Sequence, residues 1–246
     1  MSNSLTSIVR IGSRTVQKKI VDNKITYVPT NLDNCVLYLP MEEKTINLSL
    51  DHSGYNNHGS IYGAVECDGR NGNRALKFDG IDDYVDCGNN TSLDIIQKLS
   101  IGAWVKFNGL TSVGYNTIVC RDGGASNRNY FLHTYTTPDL VTTMYFGIFS
   151  SGVCKYVASI SNLEADRWYN FIGTYDGLKV RLYTDGLLDC IPLEFVGTID
   201  NYAVDLTIGK GKPSEGRYLH GIIDGVYVYN QVLLEEKVSA HYNQEK

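Results

Sequence analysis

The sequence predicts an all-β protein of antiparallel strands, and three observations carry that prediction. Tyr (18) and Gly (24) are abundant while Pro (5) is scarce, a balance that suits many short strands joined by tight turns. Short apolar runs recur along the chain with turn residues between them. The pairs Asp176-Gly177 and Asp185-Gly186 mark hairpins, because glycine supplies the positive φ that matches strand twist. One large sandwich core plus an added arm accounts for 246 residues.

Residues 1–33 form the arm. They carry five basic residues against two acidic ones, whereas the remainder carries 17 basic and 25 acidic residues, so arm and body have opposite signs. Ile8-Val-Arg-Ile11, Val16-Gln-Lys-Lys-Ile-Val21 and Lys24-Ile-Thr-Tyr-Val28 read as strands, the last two hinged at Asp22-Asn23 and ended by Pro29. Two readings of the arm stand side by side: packing on its own domain, or docking on a neighbouring acidic subunit of an assembly.

The body spans residues 34–246. Cys35-Val-Leu-Tyr-Leu39 and Ser60-Ile-Tyr-Gly-Ala-Val65 read as strands, and Asp68-Gly-Arg-Asn-Gly-Asn73 as a turn. In Ala75 to Gly88, apolar Leu76, Phe78, Ile81 and Val85 are interrupted by Asp79-Gly80 and Asp82-Asp83. That pattern predicts two strands joined by a carboxylate-rich turn, with a carboxylate accepting backbone N–H bonds. Ile101, Ala103, Val105 and Phe107 alternate with Trp104, which places a strand inside a sandwich with both faces covered. Runs at Tyr130 to Tyr135, Thr142 to Phe149 and Val153 to Ala158 predict a meander. Trp168 is read as core, Val204 to Gly209 and Leu219 to Tyr229 as strands, and Gln231 to Tyr242 as a short helix with Val238 and Tyr242 on one face.

Composition excludes several functions. A net charge of −5 opposes a sequence-independent grip on nucleic acid phosphates. No run of 18 or more apolar residues exists to cross a membrane as a helix. The start Met1-Ser-Asn-Ser-Leu-Thr-Ser lacks the basic opening and apolar stretch of a secretion signal, so the expectation is a chain made in the cytoplasm. The six Cys are dispersed without a CxxC pair and sit in or beside apolar runs, which predicts buried thiols, with a Cys67 to Cys87 bridge as the leading exception. His52 and His58 have no partner at zinc-site spacing and read as loop histidines.

An ordered series of motifs carries a family resemblance. It comprises Asp51-His-Ser-Gly-Tyr-Asn-Asn-His-Gly59, Asp79-Gly-Ile-Asp-Asp-Tyr84, Ile101-Gly-Ala-Trp-Val105, Arg167-Trp to Thr174-Tyr-Asp-Gly177, Tyr183-Thr-Asp-Gly186 and Gly221-Ile-Ile-Asp-Gly-Val-Tyr-Val-Tyr229 before a closing helix. Together they resemble the concanavalin A-like jelly roll of the laminin G type. The resemblance implies an antiparallel two-sheet jelly-roll sandwich with a short C-terminal helix. The family's Ser or Thr cap is replaced here by Leu234, leaving Asn230 as the expected cap. It also implies structural calcium at Asp51, Asn57 and Asp224, against the alternative that these side chains only cap turns. Sugar binding in such folds places ligand candidates on the sheet of the middle third: Tyr115, Tyr130, Tyr135, Tyr145 and Tyr156, with Arg121, Arg128 and His133 as polar company. A sugar's C–H face stacks on an aromatic plane while its hydroxyls meet polar edges. Tyr also simply covers sheets.

Glucanases of this fold carry alternating acids on one strand, as Glu-x-Asp-x-x-Glu, and no such strand occurs here, so the expectation is a non-enzyme. The functional expectation is a lectin-like adhesion protein, a decoration or attachment component of a virion that binds glycans or protein surfaces. It would use residues 1–33 to join other subunits and would act in a virion or at an extracellular surface. The alternative is a stand-alone or accessory carbohydrate-binding module of a cellular protein.

Overall fold

The computed structural model describes residues 5–11, 14–21 and 24–28 as backbone, and residues 32–42, 47–110, 112–124, 126–211 and 216–245. The predicted arm strands appear as β1 (Leu5–Ile11), β2 (Arg14–Val21) and β3 (Lys24–Val28), which form their own antiparallel sheet. The turns at 12–13 and 22–23 and Pro29 lie outside the described residues.

The body is a sandwich of two antiparallel sheets. Sheet I runs β17 (Leu187–Leu188), β16 (Lys179–Thr184), β15 (Trp168–Tyr175), β10 (Leu99–Phe107), β20 (His220–Tyr229), β8 (Arg74–Asp79) and β7 (Val65–Asp68); β18 (Leu193–Glu194) also pairs with β16, and β4 (Cys35–Leu39) with β20. Sheet II runs β14 (Val153–Ala158), β13 (Thr142–Ser150), β12 (Arg128–Thr136), β11 (Gly114–Asp122), β19 (Thr207–Ile208), β9 (Tyr84–Asp86), β6 (Gly59–Tyr62) and β5 (Leu48–Ser49). Alternate residues of both sheets, among them Phe78, Ile101, Val105, Phe107, Ile118, Phe146, Phe171 and Ile223, meet in one buried core.

The predicted meander is present, since β11 to β14 are consecutive antiparallel neighbours. The two Asp-Gly hairpins are present as well, joining β15 to β16 and β16 to β17. Asp185 (φ 52°) and Gly186 (φ 80°) both sit left-handed, the backbone that a two-residue hairpin turn requires.

Five local expectations are corrected. The segment Ala75 to Gly88 is not a hairpin, because β8 lies in sheet I and β9 in sheet II. Phe78 and Val85 enter the core from opposite sheets, while Ile81 is 72% exposed and joins neither strand. Asp79 Oδ1 accepts the Ile81 N–H at 2.8 Å and Asp83 Oδ2 accepts the Asp79 N–H at 2.8 Å, so the corner closes on itself. Ser60 to Val65 likewise divides between β6 in sheet II and β7 in sheet I.

The helix, α1 (Glu235–Glu245), begins four residues later than predicted. Residues 231–233 are held by Ser100 instead: its hydroxyl donates to the Gln231 carbonyl at 2.8 Å and accepts the Leu233 N–H at 2.8 Å. Asn230 therefore caps nothing, and its N–H donates to the Asn34 carbonyl. Trp168 is half-buried rather than core, because it stands on the outer face at the start of β15 beneath the Lys106 ammonium.

All six cysteines are free thiols, four of them buried. Cys67 stands on sheet I and Cys87 just past β9 of sheet II, so the two are not bridged. Burial pushes the Cys35 thiol up to about 12, which leaves it an inert small hydrophobe.

The closing helix decides which surface is free. Val238 and Leu233 pack with Cys35, Tyr38, Ile172, Tyr183, Tyr227 and Tyr229 on the outer face of sheet I, and Tyr242 stacks on Trp104 at 5.6 Å. The Arg70 guanidinium stacks over the same Trp104 ring at 3.3 Å. Among the described residues no helix lies on the outer face of sheet II.

Candidate functional site

The uncovered face of sheet II carries a groove of about 360 Å³ over β11 to β14. Strand alternation builds it. On β12, Phe131, His133 and Tyr135 point outward while Leu132 and Thr134 are fully buried; on β13, Tyr145 and Phe149 flank Gly147 on the same face. Tyr156 and Cys154 complete it from β14, and Tyr115 and Thr117 from β11.

Two bulges then set the far end. Ile118 is an extra residue in β11, so Thr117 pairs with His133 and Val119 with Leu132, and the parity of everything beyond it inverts. Cys120 and Asp122 therefore face out and Arg121 faces in. Asn129 bulges β12 in the same way and turns Arg128 outward, where its Nε lies 3.4 Å from Asp122 Oδ1.

Six of the eight sequence-selected ligand candidates thus line one groove: Tyr115, Arg128, His133, Tyr135, Tyr145 and Tyr156. Arg121 and Tyr130 do not. Both are fully buried, Tyr130 because it is out of phase with His133 and Tyr135, Arg121 because of the Ile118 bulge. Arg121 donates to the Val204 and Leu93 carbonyls at 3.0 and 2.7 Å, to Asn201 Oδ1 at 3.1 Å and to Asp94 Oδ1 at 2.7 Å, which makes it a core strut. Burial raises the Tyr130 phenol far above its ordinary range.

The groove is aromatic with polar rims. His133 stacks on Phe131 (4.2 Å, 7°) and meets Tyr115 edge-on at 5.1 Å, Tyr145 lies 5.8 Å from Tyr156, and the Arg217 guanidinium sits 3.8 Å over Tyr115. Burial, helped by the neighbouring Arg217 charge, pushes His133 down to about 3, so it is neutral at physiological pH. Phe131, Phe149, Asp122 and Arg217 were not singled out from the sequence. Phe131 and Phe149 are on predicted strands at outward positions and parity could have found them; Asp122 is turned outward only by the Ile118 bulge, and Arg217 is brought in by the chain beyond β19, so neither had a local signal.

Asp51 and Asn57 come together, with the Asn57 N–H donating to Asp51 Oδ2 at 2.9 Å, whereas Asp224 stands on β20 and accepts the Arg70 N–H at 2.8 Å. Asp51 Oδ1 accepts the N–H groups of Tyr38 and Ser53, both at 2.9 Å, and Oδ2 also accepts the Ser53 hydroxyl at 2.7 Å. All four acceptor directions of that carboxylate are taken by the chain's own donors, which does not fit a calcium ligand. Asp79, Asp82 and Asp83 bring their carboxylates within 4.8 Å of one another at the β8–β9 corner, where Asp79 and Asp83 hold backbone amides. Chelator is therefore expected to leave the melting temperature of the protein unchanged, while Asp51→Ala lowers stability by about 2–4 kcal/mol through its four lost bonds. A chelator-induced drop in a thermal melt would contradict this.

The family model for the concanavalin A-like lectin/glucanases superfamily matches residues 79–239. The chain belongs to this superfamily. No curated protein matches its sequence. Among solved structures, this member of the superfamily is similar to domain 4 of AbnA, a GH43 extracellular arabinanase from Geobacillus stearothermophilus, in complex with arabinotriose: 17% identity, TM-score 0.65, covering 84% of this chain and 97% of that one. The binding domain of botulinum neurotoxin DC in complex with SialylT is similar at 14% identity and TM-score 0.67, covering 88% of this chain and 52% of that one. The ligand binding domain of botulinum neurotoxin serotype D, in complex with N-acetylneuraminic acid, is similar at 15% identity and TM-score 0.66, covering 87% and 52%. The chain thus spans nearly all of the arabinanase domain and about half of each toxin domain. These likenesses show a shared jelly-roll fold. Among the described residues no helix is long and apolar enough to cross a membrane.

Proposed function

We propose that this protein is a non-catalytic, lectin-like binder of glycans and that the groove on sheet II is its site. The observation that carries the reading is the juxtaposition, on the one sandwich face that α1 leaves bare, of seven outward rings with Arg128, Arg217 and Asp122 at their edges. Aromatic planes take the C–H faces of sugars, and the charged rim takes hydroxyls. Asp122 is the one carboxylate of that lining and is already paired with Arg128, whereas a retaining glycosidase places two about 5 to 5.5 Å apart. The superfamily membership and the sugar complexes named for similar structures support the same reading.

Gly147 provides its test. A Cβ there would meet the Phe131 ring at 2.4 Å and Tyr156 Cβ at 3.0 Å, so the groove floor depends on the missing side chain. On a glycan array, the wild-type protein is expected to retain a defined set of sugars and Gly147→Val to lose them by at least about tenfold, with a stability change of roughly 1–3 kcal/mol. An array on which the wild type binds nothing would remove the reading.

For the arrangement of the chain we propose a docking arm at 1–33 and a binding body at 34–246. The arm strands pair with one another and not with either sandwich sheet, and they are basic where the body is acidic. This supports a role as a decoration or attachment component of a virion, acting at a surface and joined to other subunits through the arm. Light scattering of the full chain against one starting at Leu32 checks it: equal monomers in both would end the assembly role. The match to nearly the whole of an arabinanase domain favours a second reading, an accessory carbohydrate-binding module.

A further inference from the structure

The groove is one part of a longer row of rings. Successive neighbours across the strands of sheet II carry outward aromatics: Tyr156 on β14, Tyr145 on β13, His133 on β12 and Tyr115 on β11, and then, past β19, Tyr84 on β9 and Tyr62 on β6. Ring contacts of 5.8, 5.9 and 5.1 Å join the first four. Tyr62 and Tyr84 stack at 4.6 Å and 11°, forming a second platform outside the groove. They share its face, because Val85, Ile208 and Val119 are register partners that all point into the core.

Two cations close the interval between the platforms. Arg217 lies over Tyr115 and Lys210 over Tyr84, each at 3.8 Å from the ring centroid, and the intervening Gly211 donates its N–H to the Arg217 carbonyl at 2.9 Å. The row ends in solvent on both sides, with Tyr156 53% and Tyr62 48% exposed. From β14 to β6 there are six strand-to-strand steps, which at about 4.8 Å each span about 29 Å.

A pocket for one terminal sugar needs a short enclosed site. A row of this length, running across the strands with two cations between its two groups of rings, matches several consecutive units of an extended chain. Resting on the glycan reading above, we propose that the outer face of sheet II is a multi-subsite track for a linear polysaccharide, with Tyr62, backed by Tyr84, as its outer stacking ring.

The test is a chain-length series by calorimetry on the full-length protein, using cello-, xylo- and arabino-oligosaccharides from disaccharide to octasaccharide. Within the linkage that binds, affinity is expected to rise at least about tenfold between the shortest and longest chains, and Tyr62→Ala to abolish most of that gain. Because Tyr62 is half exposed the variant is expected to fold, and Lys210→Ala provides a second, independent interruption of the row. Equal affinity for short and long chains, or the same length gain in both variants as in the wild type, overturns the track while leaving the groove reading intact. No binding at any length in any of the three series also overturns the track, and the glycan array then decides the groove reading separately.

Discussion

Replacing Arg121 by alanine is expected to cost the fold about 3–5 kcal/mol, the largest effect of any single substitution considered for this protein. The side chain is fully buried and spends four N–H···O bonds on the Leu93 and Val204 carbonyls, Asn201 and Asp94. Alanine leaves two carbonyls without their donor, Asp94 without its cation, and a cavity where the guanidinium stood. Lysine does not rescue it, since a single ammonium cannot reproduce a planar fork aimed at several acceptors. Urea unfolding measures the loss directly. A stability equal to wild type would mean that the network makes no net contribution to the fold.

Acidification is expected to unfold the protein partly through His133. Its folded pKa of about 3 lies below the ordinary value of 6.5, so between these limits the native state binds fewer protons than the unfolded chain. Stability therefore falls as pH drops below about 6.5, by up to about 1.4 kcal/mol per pH unit from this one group, and above that value the group contributes no slope. The physical cause is a ring pressed between Phe131, Tyr115 and Tyr145 with the Arg217 charge beside it, where an imidazolium would be both desolvated and repelled. His133→Phe keeps the stack and removes the proton, so the difference between wild type and variant in unfolding free energy should shrink toward neutral pH and widen toward pH 4. Parallel profiles for the two proteins would show that His133 does not titrate on unfolding.

Much of the architecture was legible in the residues themselves. Two-residue periodicity places Ile101, Ala103, Val105 and Phe107 in the core with Trp104 opposite, and Asp-Gly pairs place the hairpins at 176–177 and 185–186, because both signals are local and backbone-determined. The same holds for part of the groove: Tyr135, Tyr145 and Tyr156 are outward by alternation on strands that the sequence predicts.

Other choices belong to the tertiary structure. Whether two neighbouring strands pair or part company depends on which sheet each core face meets, so the corner after Phe78 read as a hairpin and is a crossing between sheets. A bulge at Ile118 adds one residue and reverses every later side chain of β11; nothing in the run from Tyr115 to Asp122 announces it, since Cys120 and Arg121 are equally acceptable on either face by composition. The family resemblance joins Asp51 and Asp224 in one expected calcium set, yet their oxygens are claimed by different backbone amides. The chain by itself thus determined the strands, the turns and the superfamily, because these follow from nearest-neighbour chemistry. Which face stays bare, which rings line up across seven strands and which arginine is a strut were settled by packing, because each depends on residues far apart in the chain arriving at the same place.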